Sequence, residues 1–215
     1  VVKLEGVRRL IADVSEQGVG KRYLIQHSAG SGKSNSMTWL AYQLIEAEPR
    51  NEKAANGREA DRPIFDSVIV VTDRRLLDKQ LRDNIKDFSE VKNIVAPALS
   101  SAELRQSLEQ GKKIIITTIQ KFPFIVDGIA DLGDKQFAVI IDEAHSSQSG
   151  SAHDNMNRAI GKTEDLDTED VQDLILQAMQ SRKMRGNASY FAFTATPKNS
   201  TLEKFGEKQA DGKFK

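Results

Sequence analysis

The chain of 215 residues contains no cysteine, which excludes a disulfide framework and any cysteine-ligated zinc centre. It also lacks net charge, since 31 Lys+Arg balance 31 Asp+Glu. That argues against a simple basic clamp for nucleic acid, although backbone-amide contacts to phosphates need no net charge. Long apolar runs are missing too. The longest are about five residues, as in Phe137–Ile141, so nothing approaches a transmembrane span. The opening VVKLEGVRRLIADV lacks the apolar region of a signal peptide, there are no internal repeats, and the expected compartment is cytoplasmic with no membrane partner. What remains is an ordinary globular composition, 39% hydrophobic and 29% charged, long enough for one α/β domain with a full core.

Short β-branched runs recur through that composition. Strands are expected at Tyr23–Gln26, Ser67–Thr72, Lys92–Ala96, Lys113–Thr118, Phe137–Asp142 and Ser189–Thr194. Most are solidly apolar rather than alternating, as in parallel strands covered on both faces. Amphipathic helices separate them. Met37, Leu40, Ala41, Leu44 and Ile45 form one stripe, and Leu77, Leu81, Ile85 and Phe88 another. Ser100 and Glu103 read as a capping box, with Leu104 and Leu108 inward and Gly111 closing the helix. A further stripe of Val171, Leu174, Ile175 and Ala178 predicts a helix around 169–183. Strand–helix alternation of this kind implies right-handed crossovers in one doubly wound, mostly parallel sheet. The charged stretch 46–63 and the polar stretch 146–168 carry no core pattern and are expected to be mobile loops.

Three segments carry chemistry. IQHSAGSGKS at 25–34 follows a strand and precedes a helical stripe, the setting of a phosphate-binding loop. There Ser28, Ala29, Gly30, Ser31 and Gly32 would offer backbone amides, Lys33 would neutralise the β- and γ-phosphates, and the Ser34 hydroxyl would ligate Mg²⁺. His27 stands where the motif usually opens with a small residue. VIIDEAH at 139–145 ends a buried strand with Asp142, placed to hold Mg²⁺, followed by Glu143 to position the attacking water. His145 could link nucleotide state to the rest of the molecule. FAFTATP at 191–197 presents Thr194 and Thr196, which could sense the γ-phosphate through Asp142 and Glu143. Two other strands end in polar residues, Thr72 with Arg74, and Thr118 with Gln120 and Lys121, candidates for polynucleotide phosphates. All five sites fall after strand carboxyl ends, where open α/β sheets place ligands.

In this order the segments resemble superfamily 2 helicases and translocases. IITTIQKF, IIDEAHSSQSG and FAFTATPKNSTLEKFG are more closely similar to the motor subunit of type I restriction–modification enzymes. The resemblance spans about Lys21 to Gly206. It implies a RecA-like lobe that binds ATP and Mg²⁺, with Lys33 and Glu143 catalytic, and with Thr72–Arg74 and Thr118–Lys121 tracking double-stranded DNA. It also implies a nuclease domain and a second RecA-like lobe in the same subunit, plus methylation and specificity subunits as partners. Ser146 departs from the arginine that many relatives carry after the histidine. The chain therefore reads as residues 1–215 of a single first lobe, with an inter-lobe connection beginning about 200–215. As an isolated fragment it is expected to be nearly inactive. An RNA helicase of the DEAH kind would share the ATPase segments but not Thr-Ile-Gln-Lys-Phe. A non-hydrolysing nucleotide switch serving as a scaffold would not need both Lys33 and Glu143.

Overall fold

The computed structural model describes residues 2–26, 33–59, 61–72, 95–98, 100–118, 122–142 and 186–194. These form α1 (Val2–Gln17), β1 (Arg22–Gln26), α2 (Lys33–Ile45), α3 (Glu52–Ala55), β2 (Ser67–Thr72) and β3 (Val95–Ala98). They continue with α4 (Ser101–Glu109), β4 (Ile114–Thr118), α5 (Phe122–Asp131), β5 (Phe137–Asp142) and β6 (Ala188–Thr194). The six strands make one sheet in the order β1-β6-β5-β2-β4-β3, and every neighbouring pair is parallel. Expected helices at 77–88 and 169–183, and the stretch 146–168, lie outside the described residues.

Both faces of the sheet are covered, which is why its strands are apolar throughout. On one face Val68, Ala138, Ile140, Phe191 and Phe193 pack with Val7, Val14, Met37, Leu40 and Leu44 of α1 and α2. On the other, Ile69, Val71, Val139, Ile141 and Tyr190 pack with Leu104, Leu108, Ile125 and Ile129 of α4 and α5. Burial pushes the Tyr190 hydroxyl up to about 12, only partly offset by the charge of Arg22. The division of helices follows from handedness. The connection β1 to β2 runs one way along the sheet and carries α2; β3 to β4 and β4 to β5 run the other way and carry α4 and α5. With right-handed crossovers, reversing direction moves the helix to the opposite face.

The edges show where sequence pattern and structure part. β3 is described over Val95–Ala98, continuing past the expected end at Ala96 and through Pro97, while the expected start at 92–94 lies outside the described residues. A proline deletes one ladder donor, which is harmless on a strand that, among the described residues, pairs with β4 alone. Thr117 Oγ1 donates to the Ala98 carbonyl at 2.7 Å and ties the end of that edge. At the other edge, the Tyr23 ring stacks on Phe191 with centroids 4.8 Å apart. Its hydroxyl donates to Asp13 Oδ2 at 2.8 Å, pinning α1 to β1. Burial, then the hydrogen bond and charge of Asp13, raise the Tyr23 hydroxyl well above the usual phenol range.

The charged stretch 46–63 contributes to the core, contrary to its sequence pattern. Ala47, Ala54 and Ala55 are buried. Asn51 caps α3 by accepting from Ala54 N at 2.8 Å, and its amide donates to the Glu16 carbonyl at 3.0 Å. Gly18, with φ +74°, lets the end of α1 press so close that an added Cβ would lie 2.8 Å from the Ala54 carbonyl oxygen. One helical turn anchored by small alanines leaves no apolar period to read. The Ser100–Glu103 capping box is present as expected, and Leu104 and Leu108 are buried.

Candidate nucleotide site

Because all strands run parallel, their carboxyl ends share one edge. Register aligns Gln26 with Thr194, Phe193 with Asp142, and Thr72 with Thr118. The residue types singled out on four separate strands are thus brought to one rim. Thr72, Thr118, Asp142 and Thr194 are all buried there, which is unusual for hydroxyls and carboxylates and marks a polar layer under the rim. Gln26 completes that row, though as the end of a short edge strand it gave no signal in the sequence.

Lys33 is the first residue of α2, on the same side of the sheet as the rim. Its Nζ lies 2.5 Å from Asp142 Oδ1, with side-chain exposures of 11% and 3%. A contact this buried matters because desolvated charges must be paired. Beyond this ion pair the ammonium has no hydrogen-bond partner among the described residues. Its unused donors and an adjoining carboxylate, at the N-terminus of a helix, form a donor set that suits a metal-bound polyphosphate. Ser34 occupies the next position in the first turn of α2. His27, Ser28, Ala29, Gly30, Ser31, Gly32, Arg74, Gln120, Lys121, Glu143, His145 and Thr196 lie outside the described residues.

A parallel sheet with a lysine opening the helix after β1, paired to a carboxylate ending β5, defines a RecA-like P-loop nucleotide-binding lobe. The profile of the SWI2/SNF2 ATPase family matches residues 3–166, so the chain belongs to that family. It is similar to the type I restriction enzyme HindI endonuclease subunit of Haemophilus influenzae, 32% identical over 90% of the chain and 16% of the relative. It is 30% identical to the putative type I restriction enzyme MjaIXP endonuclease subunit of Methanocaldococcus jannaschii, over 86% of the chain and 14% of the relative. A third relative is the SauCOLORF180P endonuclease subunit of Staphylococcus aureus, 27% identical over 89% and 16%. The chain spans about a sixth of the length of these relatives. Among the described residues no helix is long and apolar enough to cross a membrane.

Proposed function

We propose that this chain is the ATP-binding first RecA-like lobe of the restriction subunit of a type I restriction enzyme, a motor that translocates double-stranded DNA. The observation that carries the reading is the buried Lys33–Asp142 pair at the carboxyl edge of the sheet, inside the stretch that matches the SWI2/SNF2 ATPase family. The similarity to endonuclease subunits of type I restriction enzymes supplies the DNA context. The full assembly would add a nuclease domain, a second lobe, and methylation and specificity subunits.

In this reading Ser28 to Ser34 wrap the phosphates with backbone amides, and Lys33 turns from Asp142 to the β- and γ-phosphates. Ser34 and Asp142 would hold Mg²⁺, which would offset the phosphate charge, while ATP would supply the transferable phosphoryl group. Glu143 orients the attacking water. Thr194 and Thr196 report on the γ-phosphate through the carboxylates, and His145 passes that state onward. Thr72 and Thr118 are buried, so in this reading Arg74, Gln120 and Lys121, rather than the threonine side chains, would meet the DNA phosphates.

Calorimetric titration of the chain with Mg²⁺–ATP tests the site. Lys33→Ala should weaken binding by at least about tenfold, whereas Glu143→Gln should stay within about threefold, since the glutamate acts on water. Turnover by the intact subunit should rise with duplex DNA and drop by about 10²–10⁴ in Glu143→Gln. Equal affinity in Lys33→Ala would overturn the site; stimulation by RNA in preference to duplex DNA would overturn the restriction-motor assignment.

A further inference from the structure

Among the described residues Asp142 is the one buried carboxylate. A charge removed from water needs a counter-charge. Lys33 supplies it, with Nζ 2.5 Å from Asp142 Oδ1, and beyond this pair the ammonium has no hydrogen-bond partner among the described residues. The pair joins the group expected to grip phosphate to the group expected to hold metal, so each occupies the other's ligand position. A divalent ion brought to this carboxylate, with no phosphate between, would meet the ammonium at contact distance in a layer that screens charge poorly.

We propose that Lys33 closes Asp142 to free divalent metal until a polyphosphate draws the ammonium away, so that metal is taken up with the nucleotide or after it. This rests on the nucleotide-site reading above. The ammonium sits on a flexible stem and can turn from carboxylate to phosphate without displacing α2. Charge stays matched through the exchange. Phosphate oxygens replace Asp142 as the lysine's partner, and the released carboxylate is free to take a metal ion. Metal alone offers Lys33 no new partner and would strand a buried ammonium beside a dication. Nucleotide and metal affinities are thereby linked, each raising the other by the same factor. A pair that served only to tie α2 to β5 would show no such competition.

The probe is Mn²⁺ alone, titrated into the whole chain without nucleotide and followed by electron paramagnetic resonance of the free ion. Lys33→Met should bind Mn²⁺ at least about tenfold tighter than wild type, and Lys33→Arg, which keeps the charge, should stay within about threefold. Adding Asp142→Asn to Lys33→Met should remove the gain, which separates the rim from carboxylates elsewhere. Circular dichroism melts verify folding. A second measurement does not depend on the methionine variant: with a chelator present, Asp142→Asn should bind ADP at least about threefold tighter than wild type, because Lys33 is no longer held. Equal Mn²⁺ affinity in wild type and Lys33→Met, or a gain that survives Asp142→Asn, would overturn the proposal. So would a gain in Lys33→Arg equal to that in Lys33→Met, or metal-free ADP affinity that Asp142→Asn fails to raise. Such a failure leaves the nucleotide site standing as long as Lys33→Ala weakens Mg²⁺–ATP binding; if that weakening is absent too, the site reading falls with it.

Discussion

Replacing Lys33 by methionine would leave Asp142 in place, 3% exposed and without its counter-charge. Removing one partner of a buried ion pair costs about 3–5 kcal/mol, because the remaining charge is desolvated and uncompensated. Asp142 takes part in a further interaction, which places the expected loss near the lower end, about 3 kcal/mol. For a chain of this size that is roughly 6–12 °C in Tm. The reverse change, Asp142→Asn, should cost less, about 1–2 kcal/mol. Lys33 is more exposed than Asp142, and its long stem can carry the ammonium toward water. Combining the two should recover about 1–2 kcal/mol relative to the sum of the singles, since neither charge is then stranded. The measurement is urea denaturation of the nucleotide-free protein for all four members of the cycle, because bound ligand would add stability of its own. Additivity to within about 0.5 kcal/mol would mean that the two groups do not interact, and the reasoning from their distance would fail.

Asn187 donates its amide to the carbonyls of Ile129, Leu132 and Lys135 at 3.1, 3.3 and 3.1 Å, gathering the end of α5 beneath β6. Asn187→Leu should cost about 2 kcal/mol in a urea melt, and a loss under about 0.5 kcal/mol would show that water replaces the amide freely. Burial alone would raise the Asp66 carboxyl, but hydrogen bonds from Arg58 and the Gln136 amide, with the charges of Arg58 and Arg62, hold it below the ordinary value. A carboxyl depressed in the folded state adds stability above its unfolded value of about 4 and loses it as pH falls toward the folded value. Asp66→Asn should therefore flatten the acid limb of the stability curve below about pH 4, and parallel acid limbs would refute this. Gly18→Ala, at φ +74° and against the Ala54 carbonyl, should cost about 1–3 kcal/mol by thermal denaturation; an unchanged Tm would show that α3 simply moves aside.

Most of the sheet was legible because buried parallel strands leave unbroken β-branched runs. Ser67–Thr72 and Phe137–Asp142 begin and end where their runs do. The elements that escaped had weaker signals. In α1, Val7, Leu10, Ile11 and Val14 form a core stripe, but Gly6 and the surrounding charge dilute it, and it was read only for its lack of a signal peptide. In α5, Pro123 falls in the first turn, where its missing N–H costs nothing, yet a proline after a strand reads as a loop. In α3 the buried surface is alanine, too small to stand out from a charged background.

Residue types at the site were legible too, but not their meeting. The strand carrying the loop, β1, and the strand ending in Asp142, β5, are separated in the sheet by β6, the last strand in sequence. At about 4.8 Å between strands their ends stand nearly 10 Å apart, more than a short side chain can bridge. Helix α2 closes that gap. Its residues pack against β2, β4 and β5, which sets the first residue of α2, Lys33, near the end of β5, where its Nζ reaches Asp142 Oδ1. Thr194, ending β6 between the two strands, is buried and adds a hydroxyl to the polar layer at the rim. The meeting therefore depends on where a helix lands across the strand order, and neither segment carries a local pattern that encodes it.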